Sequence, residues 1–400
     1  MSPPPTRQRP WLGRMAPALF ASVVLAGGAL MHLSAEPALD VASAEAKTRK
    51  APPAEVACVE GPAAHVVLIA VDGLQVQGLR TLLAARKAPA FQRLIDEGLS
   101  TLNARTDATY SITLPNMTAM MTGRPVTRVP GLRDDAHHGY TWNGPPRPGE
   151  TLHNGGNPAL AYVPSVFDVV HDHGGSTALY TSKGKFALFR ASWDAEHGAP
   201  DTVGSDHGRA KIDRFVLEGD TSKLTDAWIA AMRVAPYRYS FLHLADPDAA
   251  GHGIGWGSPM WLAAVQHVDT QIGKVLDLVA SQPQLLANTV VIVTSDHGGF
   301  GNNHFDIENP LIFTVPFFVW GERIARGGDA YQALPHRHDP GATRPDFTAP
   351  KQPLRNGDAC NMVLGLLGLP ETAGSTMRAT GLVRAPCPAA AASAPTTRKR

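Results

Sequence analysis

Thr289-Val-Val-Ile-Val-Thr-Ser-Asp296-His297-Gly-Gly299 is a run of β-branched residues that ends abruptly in an acid and an imidazole, with Asn302-Asn-His304 close behind. An apolar run of this length without alternation predicts a strand buried on both faces, as in a parallel sheet. Its polar end then lies at the carboxyl edge, where open α/β sheets place their ligands. Two further stretches share the plan: His65-Val-Val-Leu-Ile-Ala-Val-Asp72-Gly73 and Tyr239-Ser-Phe-Leu-His-Leu-Ala-Asp246-Pro-Asp248. Any one of them alone reads as a turn aspartate beside a core strand. Three apolar strands delivering carboxylates to one edge predict a polynuclear metal site.

Between these strands, helical patterns cover residues 74–83 and 90–98, the second closed by Gly98, and residues 99–106 resemble another strand. Tyr110-Ser-Ile-Thr113-Leu-Pro115-Asn116 leads into an apolar helix ending at Gly123. A start at Pro115 and Asn116 would turn free N–H groups toward whatever precedes it, and an anion is stabilised there. Residues 124–160 are rich in Gly, Pro, His and Asn and lack periodicity, which predicts an ordered loop or small insertion. A helix over 165–173, a strand over 177–183, an irregular 184–222, a helix over 224–234 and a long amphipathic helix from Ser258 to Val279 complete the pattern. The alternation predicts an α/β fold, a mainly parallel sheet sandwiched between helices.

A length of 400 residues leaves the domain count between one and two. The formal net charge of +1 predicts neither a nucleic-acid footprint nor an acidic tail. Arg7, Arg9 and Arg14 precede an apolar run over residues 16–32, and Leu33-Ser34-Ala35 and Ala42-Ser43-Ala44 after it are both possible peptidase sites. That is the order of a secretory signal. The run is slightly short for a spanning helix of roughly 20 residues, which favours cleavage over an uncleaved anchor. The expected division is a signal peptide over 1–35, a linker over 36–62, a catalytic domain over 63–385 and a disordered tail over 386–400. A chain exported to the periplasm or the medium can form disulfides. Cys58, before the first strand, and Cys387, after the last helix, are the pair to try, while Cys360 reads as a small buried residue.

Asp248-Ala-Ala-Gly-His252 spaces a carboxylate and an imidazole four apart, so on a helical turn both reach one cation. Asp72, Asp296, His297 and His304 bring the set to three Asp and three His. This mixture suits Zn²⁺, with Mn²⁺ as second choice, and speaks against an all-oxygen Mg²⁺ or Ca²⁺ cage. Each residue has an ordinary reading too. Asp72 could cap a turn, and Thr113 and Asn116 could be helix-cap residues. His243, mid-strand, reads as a core or supporting group, and His137, His138, His171 and His173 as surface or supporting groups.

Taken together, Val-Asp72-Gly, Thr113-Leu-Pro-Asn116, Pro-Asp248-Ala-Ala-Gly-His252 and Ser-Asp296-His297-Gly stand in the order of the alkaline phosphatase superfamily. The chain resembles most its type I phosphodiesterase and nucleotide pyrophosphatase branch, over about residues 64–320 and more loosely to 370. The resemblance implies two divalent ions, one on Asp72, Thr113, Asp296 and His297, the other on Asp248, His252 and a later histidine. His304 is the choice for that last ligand, because compact members carry it shortly after the Asp-His pair. Nucleotide pyrophosphatases proper carry it further downstream, so His336 or His338 stand as alternatives.

The same resemblance implies that Thr113 attacks the phosphorus of a small-molecule phosphate ester and that water then hydrolyses the phosphothreonine. Asn116 could donate an amide N–H to a non-bridging oxygen. No Arg adjoins Thr113, which favours diesters over the monoesters that an Arg clamp holds. Leu114 and Met117 stand where diesterases commonly have an aromatic and a polar residue, so the leaving-group pocket stays open. Trp142, Asn143, Lys183, Lys185 and Trp193 are candidates to line the pocket. Thr113-Leu-Pro-Asn lacks the Cys/Ser-x-Pro-x-Arg that sulfatases need. The remaining alternatives are a phosphomonoesterase, a phosphoethanolamine or phosphoglycerol transferase, and an exported binding protein on an inactive fold. The last predicts a damaged ligand set, whereas this set is whole.

Overall fold

All seven residues of Thr289–Ser295 are buried, and they form the strand β6. It pairs in parallel with β1, His65–Val71, which pairs in parallel on its other side with β5, Tyr239–Leu244. The remaining strands are β2, Gly98–Arg105, β3, Thr177–Thr181, β4, Arg214–Leu217, β7, Thr314–Trp320, and β8, Gly328–Asp329. Together they make one eight-stranded sheet in the order β4-β3-β5-β1-β6-β7-β2-β8. Only β7 runs against the rest, pairing antiparallel with β6 and β2. The predicted mainly parallel sheet between helices is therefore what the chain forms. The structure is a computed structural model that describes residues 61–378, inside the compact unit Glu55–Arg400.

The unbroken apolar strands make sense because both faces of the sheet are covered. Along β1, Val66, Leu68 and Ala70 join one core while Val67, Ile69 and Val71 join the other. Each fully buried Val, Leu or Ile contributes about 1.5–3 kcal/mol. The second core also takes Trp261, Val265, Val268, Ile272, Val275 and Val279 from the helix Pro259–Ser281, an i, i+3, i+4 stripe capped by Ser258. On the first face the helices Thr113–Thr122 and Ala359–Leu367 pack through Met117, Met120, Met121, Val363 and Leu364.

Two expectations change in detail. The helix after Tyr110 begins at Thr113, not at Pro115, with Ile112 as its cap residue. The stretch 184–222 is not wholly irregular: it holds the helix Ala187–Ser192 and the edge strand β4. β4 escaped notice because it is four residues long and exposed at both ends. His138 and His171 are buried, not surface groups, and Trp193 is a core residue whose Nε1 donates to Val163 O. Cys360 is buried, as expected. Residues 1–60 and 379–400 lie outside the described residues, and with them the leader, nearly all of the linker, the tail, Cys58 and Cys387. No helix of the described residues is long and apolar enough to cross a membrane.

Candidate metal centre

Sheet register builds the site. Val71 lies opposite Ser295 on one side and Leu244 on the other, so the three central strands end level. The next residues are Asp72 and Asp296, while β5 passes through Ala245 into the helix Asp246–Ile254, which carries Asp248 and His252 on successive turns. His297 Nε2 is 3.5 Å from Asp72 Oδ1, 3.3 Å from Asp296 Oδ2 and 3.9 Å from Asp248 Oδ1. Asp248 Oδ1 in turn is 3.4 Å from His252 Nε2 and 3.9 Å from His304 Nε2. Six residues from four segments thus converge as two touching groups, Asp72-Asp296-His297 and Asp248-His252-His304.

Gly73 makes the close approach possible. Its φ is +71°, and a Cβ there would sit 2.9 Å from Asp248 Cα, so any side chain would push the helix Asp246–Ile254 off the end of β1. The Gly73 N–H donates to Asp296 Oδ1 at 3.1 Å, which holds that carboxylate.

The residues fit a divalent ion. Asp72 Oδ1, Asp248 Oδ1, Asp296 Oδ2 and His297 Nε2 are buried acceptors that no protein group satisfies. Three histidines are locked in one tautomer: His252 Nδ1 donates to Asn302 O, His297 Nδ1 to Gly298 O and His304 Nδ1 to Ser111 O. Each Nε2 therefore turns a lone pair inward, the arrangement of metal-ligating imidazoles held by backbone carbonyls. Burial, helped by the neighbouring His297, pushes the His304 imidazole down to about 2, so it is neutral and able to ligate.

Charge tells the same story. Burial, with Asp72 and Asp248 alongside, raises the Asp296 carboxyl well above its ordinary range. Burial also acts to raise Asp72, but Lys183 and the His243 hydrogen bond reverse this and hold it well below. Lys183 Nζ stands 2.7 Å from Asp72 Oδ2 and 2.5 Å from Asp248 Oδ2. It arrives from the end of β3, beside β5, and pairs directly with two of the three acids, while Lys185 adds positive charge from further away. His243 is a supporting group, its Nε2 2.9 Å from Asp72 Oδ2.

Thr113 is buried at the first turn of its helix, and its hydroxyl has no partner among the described residues. The next N–H, of Leu114, donates to Asn143 Oδ1 at 2.9 Å, and Lys185 Nζ donates to the same oxygen at 3.1 Å. Asn116 has a different position from the one the sequence suggests. Its amide N–H groups go to Tyr110 O and Ile112 O, and its Oδ1 accepts from Asp107 N and Asn356 Nδ2, so it braces the loop before Thr113. The fold also brings an arginine invisible in the local sequence. Arg344 Nη2 donates to Asp107 O and Ser111 Oγ, clasping that loop from outside.

Two other clusters are filled by protein partners. In the cluster His171, Asp172 and Asp201, the Lys211 ammonium pairs with both carboxylates and the His171 Nδ1 bonds to Asp201 Oδ1 at 2.9 Å. Ser222 Oγ, His267 and Asp246 form a chain of 2.8 and 3.1 Å, but Asp220 Oδ1 takes the N–H groups of Ser222 and Lys223. Two N–H groups at that helix start are thus already engaged, and the chain serves to fasten Asp246.

Known proteins share the fold. Murine ectonucleotide pyrophosphatase / phosphodiesterase 5, solved as an inactive form in complex with AMP, is 13% identical, over 76% of this chain and 95% of its own, with a TM-score of 0.51. The human protein of the same name is 12% identical over 77% and 96%, also at 0.51. At such identities the likeness is one of fold. A Vibrio parahaemolyticus protein in the alkaline phosphatase superfamily matches at 15% identity over 80% and 70%, with a TM-score of 0.47. The sequence itself matches the family described as type I phosphodiesterase / nucleotide pyrophosphatase over residues 66–128 and 136–344. Because that match spans well over half of its length, the chain belongs to the type I phosphodiesterase / nucleotide pyrophosphatase family.

Proposed function

We propose that the protein is an exported phosphodiesterase or nucleotide pyrophosphatase that uses Thr113 as nucleophile and two divalent ions, Zn²⁺ by preference. The observation that carries this reading is the set of four buried, unsatisfied acceptors on Asp72, Asp248, Asp296 and His297. Asp72, Asp296 and His297, with Thr113, would hold one ion, and Asp248, His252 and His304 the other. When bound, such ions supply Lewis-acid charge against the negative charge that develops on the attacking and departing oxygens.

The chain's own groups do the rest. The Thr113 hydroxyl gives its proton to solvent and Oγ1 attacks phosphorus in line, forming a P–O bond as the ester oxygen leaves with its electron pair and takes up a proton from solvent. Water then attacks phosphorus, its oxygen staying on the released phosphate, while the P–Oγ1 bond breaks and Thr113 regains a proton. Asn143 accepts from Leu114 N and Lys185 through Oδ1, which leaves its amide N–H groups to donate to a non-bridging oxygen. Lys183 and Lys185 add positive charge on the side of the phosphoryl anion. The N-terminal leader supports a periplasmic or extracellular location.

The test pairs metal analysis with hydrolysis of bis-p-nitrophenyl phosphate and p-nitrophenyl phosphate by the wild type and Thr113→Ala. Diester hydrolysis with bound metal, abolished by the substitution, is the expected result. A preference for the monoester would move the protein to the phosphatase branch. Full metal occupancy with no turnover of either ester would favour a binding protein.

A further inference from the structure

Trp256 touches each segment that carries an Asp or His of the site. Its Nε1 donates to Gly73 O, the residue after Asp72, at 2.8 Å. Its ring lies so close to Gly251, the residue before His252, that a Cβ there would be 2.4 Å from the indole. The same holds at Gly299, two residues after His297, at 2.1 Å. Edge-on, the ring meets the His252 imidazole at 5.1 Å and the His304 imidazole at 5.9 Å. The backbone N–H of Trp256 donates to Gly301 O at 2.8 Å, which ties the residue to the loop leading to His304. One largely buried indole is thus wedged between the end of β1, the helix Asp246–Ile254, the end of β6 and the last histidine.

We propose that Trp256 is a positioning residue that sets the spacing between the two halves of the ion site and fixes the His252 and His304 rings. A core filler would need neither the hydrogen bond to Gly73 nor two facing glycines, and it would not bear on two imidazoles at once. The ring is rigid, with few rotatable bonds, and polar only at the N–H that Gly73 accepts. Supporting groups of this kind hold ligand orientation, and their loss typically weakens metal binding without removing a ligand. This inference rests on the two-ion reading above, and its test separates the two.

The experiment compares wild type, Trp256→Phe and Gly251→Ala. Trp256→Phe keeps an aromatic ring but loses the N–H and half the wedge, and Gly251→Ala keeps the indole but displaces it. In chelator-treated protein, modification of each histidine by diethyl pyrocarbonate is mapped by mass spectrometry, with buried His138 as internal control. Zn²⁺ is then titrated, and the concentration that half-protects His252 and His304 is read.

Both variants should modify faster at His304 than wild type, with His138 unchanged, and should need about 10–100-fold more Zn²⁺ for protection. If His304 reacts alike in wild type and in whichever variant folds, Trp256 only fills space and the proposal is overturned. If His304 reactivity rises but the wild type takes up no Zn²⁺, the two-ion reading falls while the positioning role stands.

Discussion

The Nε2 atoms of His252 and His304 face each other at 3.2 Å while both Nδ1 atoms are committed to backbone carbonyls. With both rings neutral, neither can offer a proton to the other without giving up its carbonyl, so two lone pairs meet. A cation between them removes the repulsion. Replacing either histidine by alanine should therefore lower the metal content by one ion per chain and leave the other ion in place. Elemental analysis after dialysis checks this, and two ions retained in both variants would send the ligand search to His336 or His338.

Lys183 is the internal counter-charge of Asp72 and Asp248. Lys183→Met leaves two buried carboxylates facing each other, which should cost the metal-free protein about 3–5 kcal/mol. Added Zn²⁺ should recover most of that loss. Thermal melts with and without Zn²⁺ decide the point: a variant that melts like wild type in chelator would mean that the ammonium does not hold the pair.

Asn143→Ala removes the acceptor of Leu114 N and the amide proposed to face the phosphoryl oxygen. The turnover number should fall by about 10²–10³, with a smaller change in KM. Circular dichroism should be unchanged. A variant with wild-type turnover would return attention to Asn116, whose amide the loop already uses.

Burial, with His137 and Arg124 nearby, pushes the His138 imidazole down to about 3. The unfolded chain takes up a proton at this residue below about 6.5, whereas the folded one does not until about 3. Stability is then full above pH 6.5 and is lost as pH falls toward 3, by about 1.4 kcal/mol per pH unit from this group. His138→Gln should flatten the fall in chemical-denaturation midpoint between pH 7 and 5. An equally steep fall in the variant would assign the dependence to other groups.

At Gly73 two constraints coincide, a left-handed backbone and a Cβ position 2.9 Å from Asp248 Cα. Gly73→Ala should destabilise the fold by about 1–3 kcal/mol and weaken metal retention, because the added methyl parts Asp72 from Asp248. Retained metal with a lowered melting temperature would show that only the backbone strain matters.

Much of this was legible in the sequence because burial on both faces forces unbroken apolar strands. β1, β5 and β6 therefore stand out, as do the acids at their ends. β4 and β8 did not, being short edges where half-exposed residues carry no periodicity. Lys183 could be named as a pocket candidate, but its place between two acids depends on β3 lying beside β5, which no local motif encodes. Asn116 misled for a related reason. Its partner Asn356 is 240 residues away, and only the fold reveals that its amide is already engaged.

The three strands that finish the site are neighbours in the sheet but strangers in the chain: β1 is made early, while β5, β6 and His304 follow only after long intervening stretches. A polypeptide still emerging from the ribosome holds Asp72 and nothing to complete it. Truncated products and half-made chains therefore lack part of the six-residue cluster, which comes together only when the last third of the molecule docks.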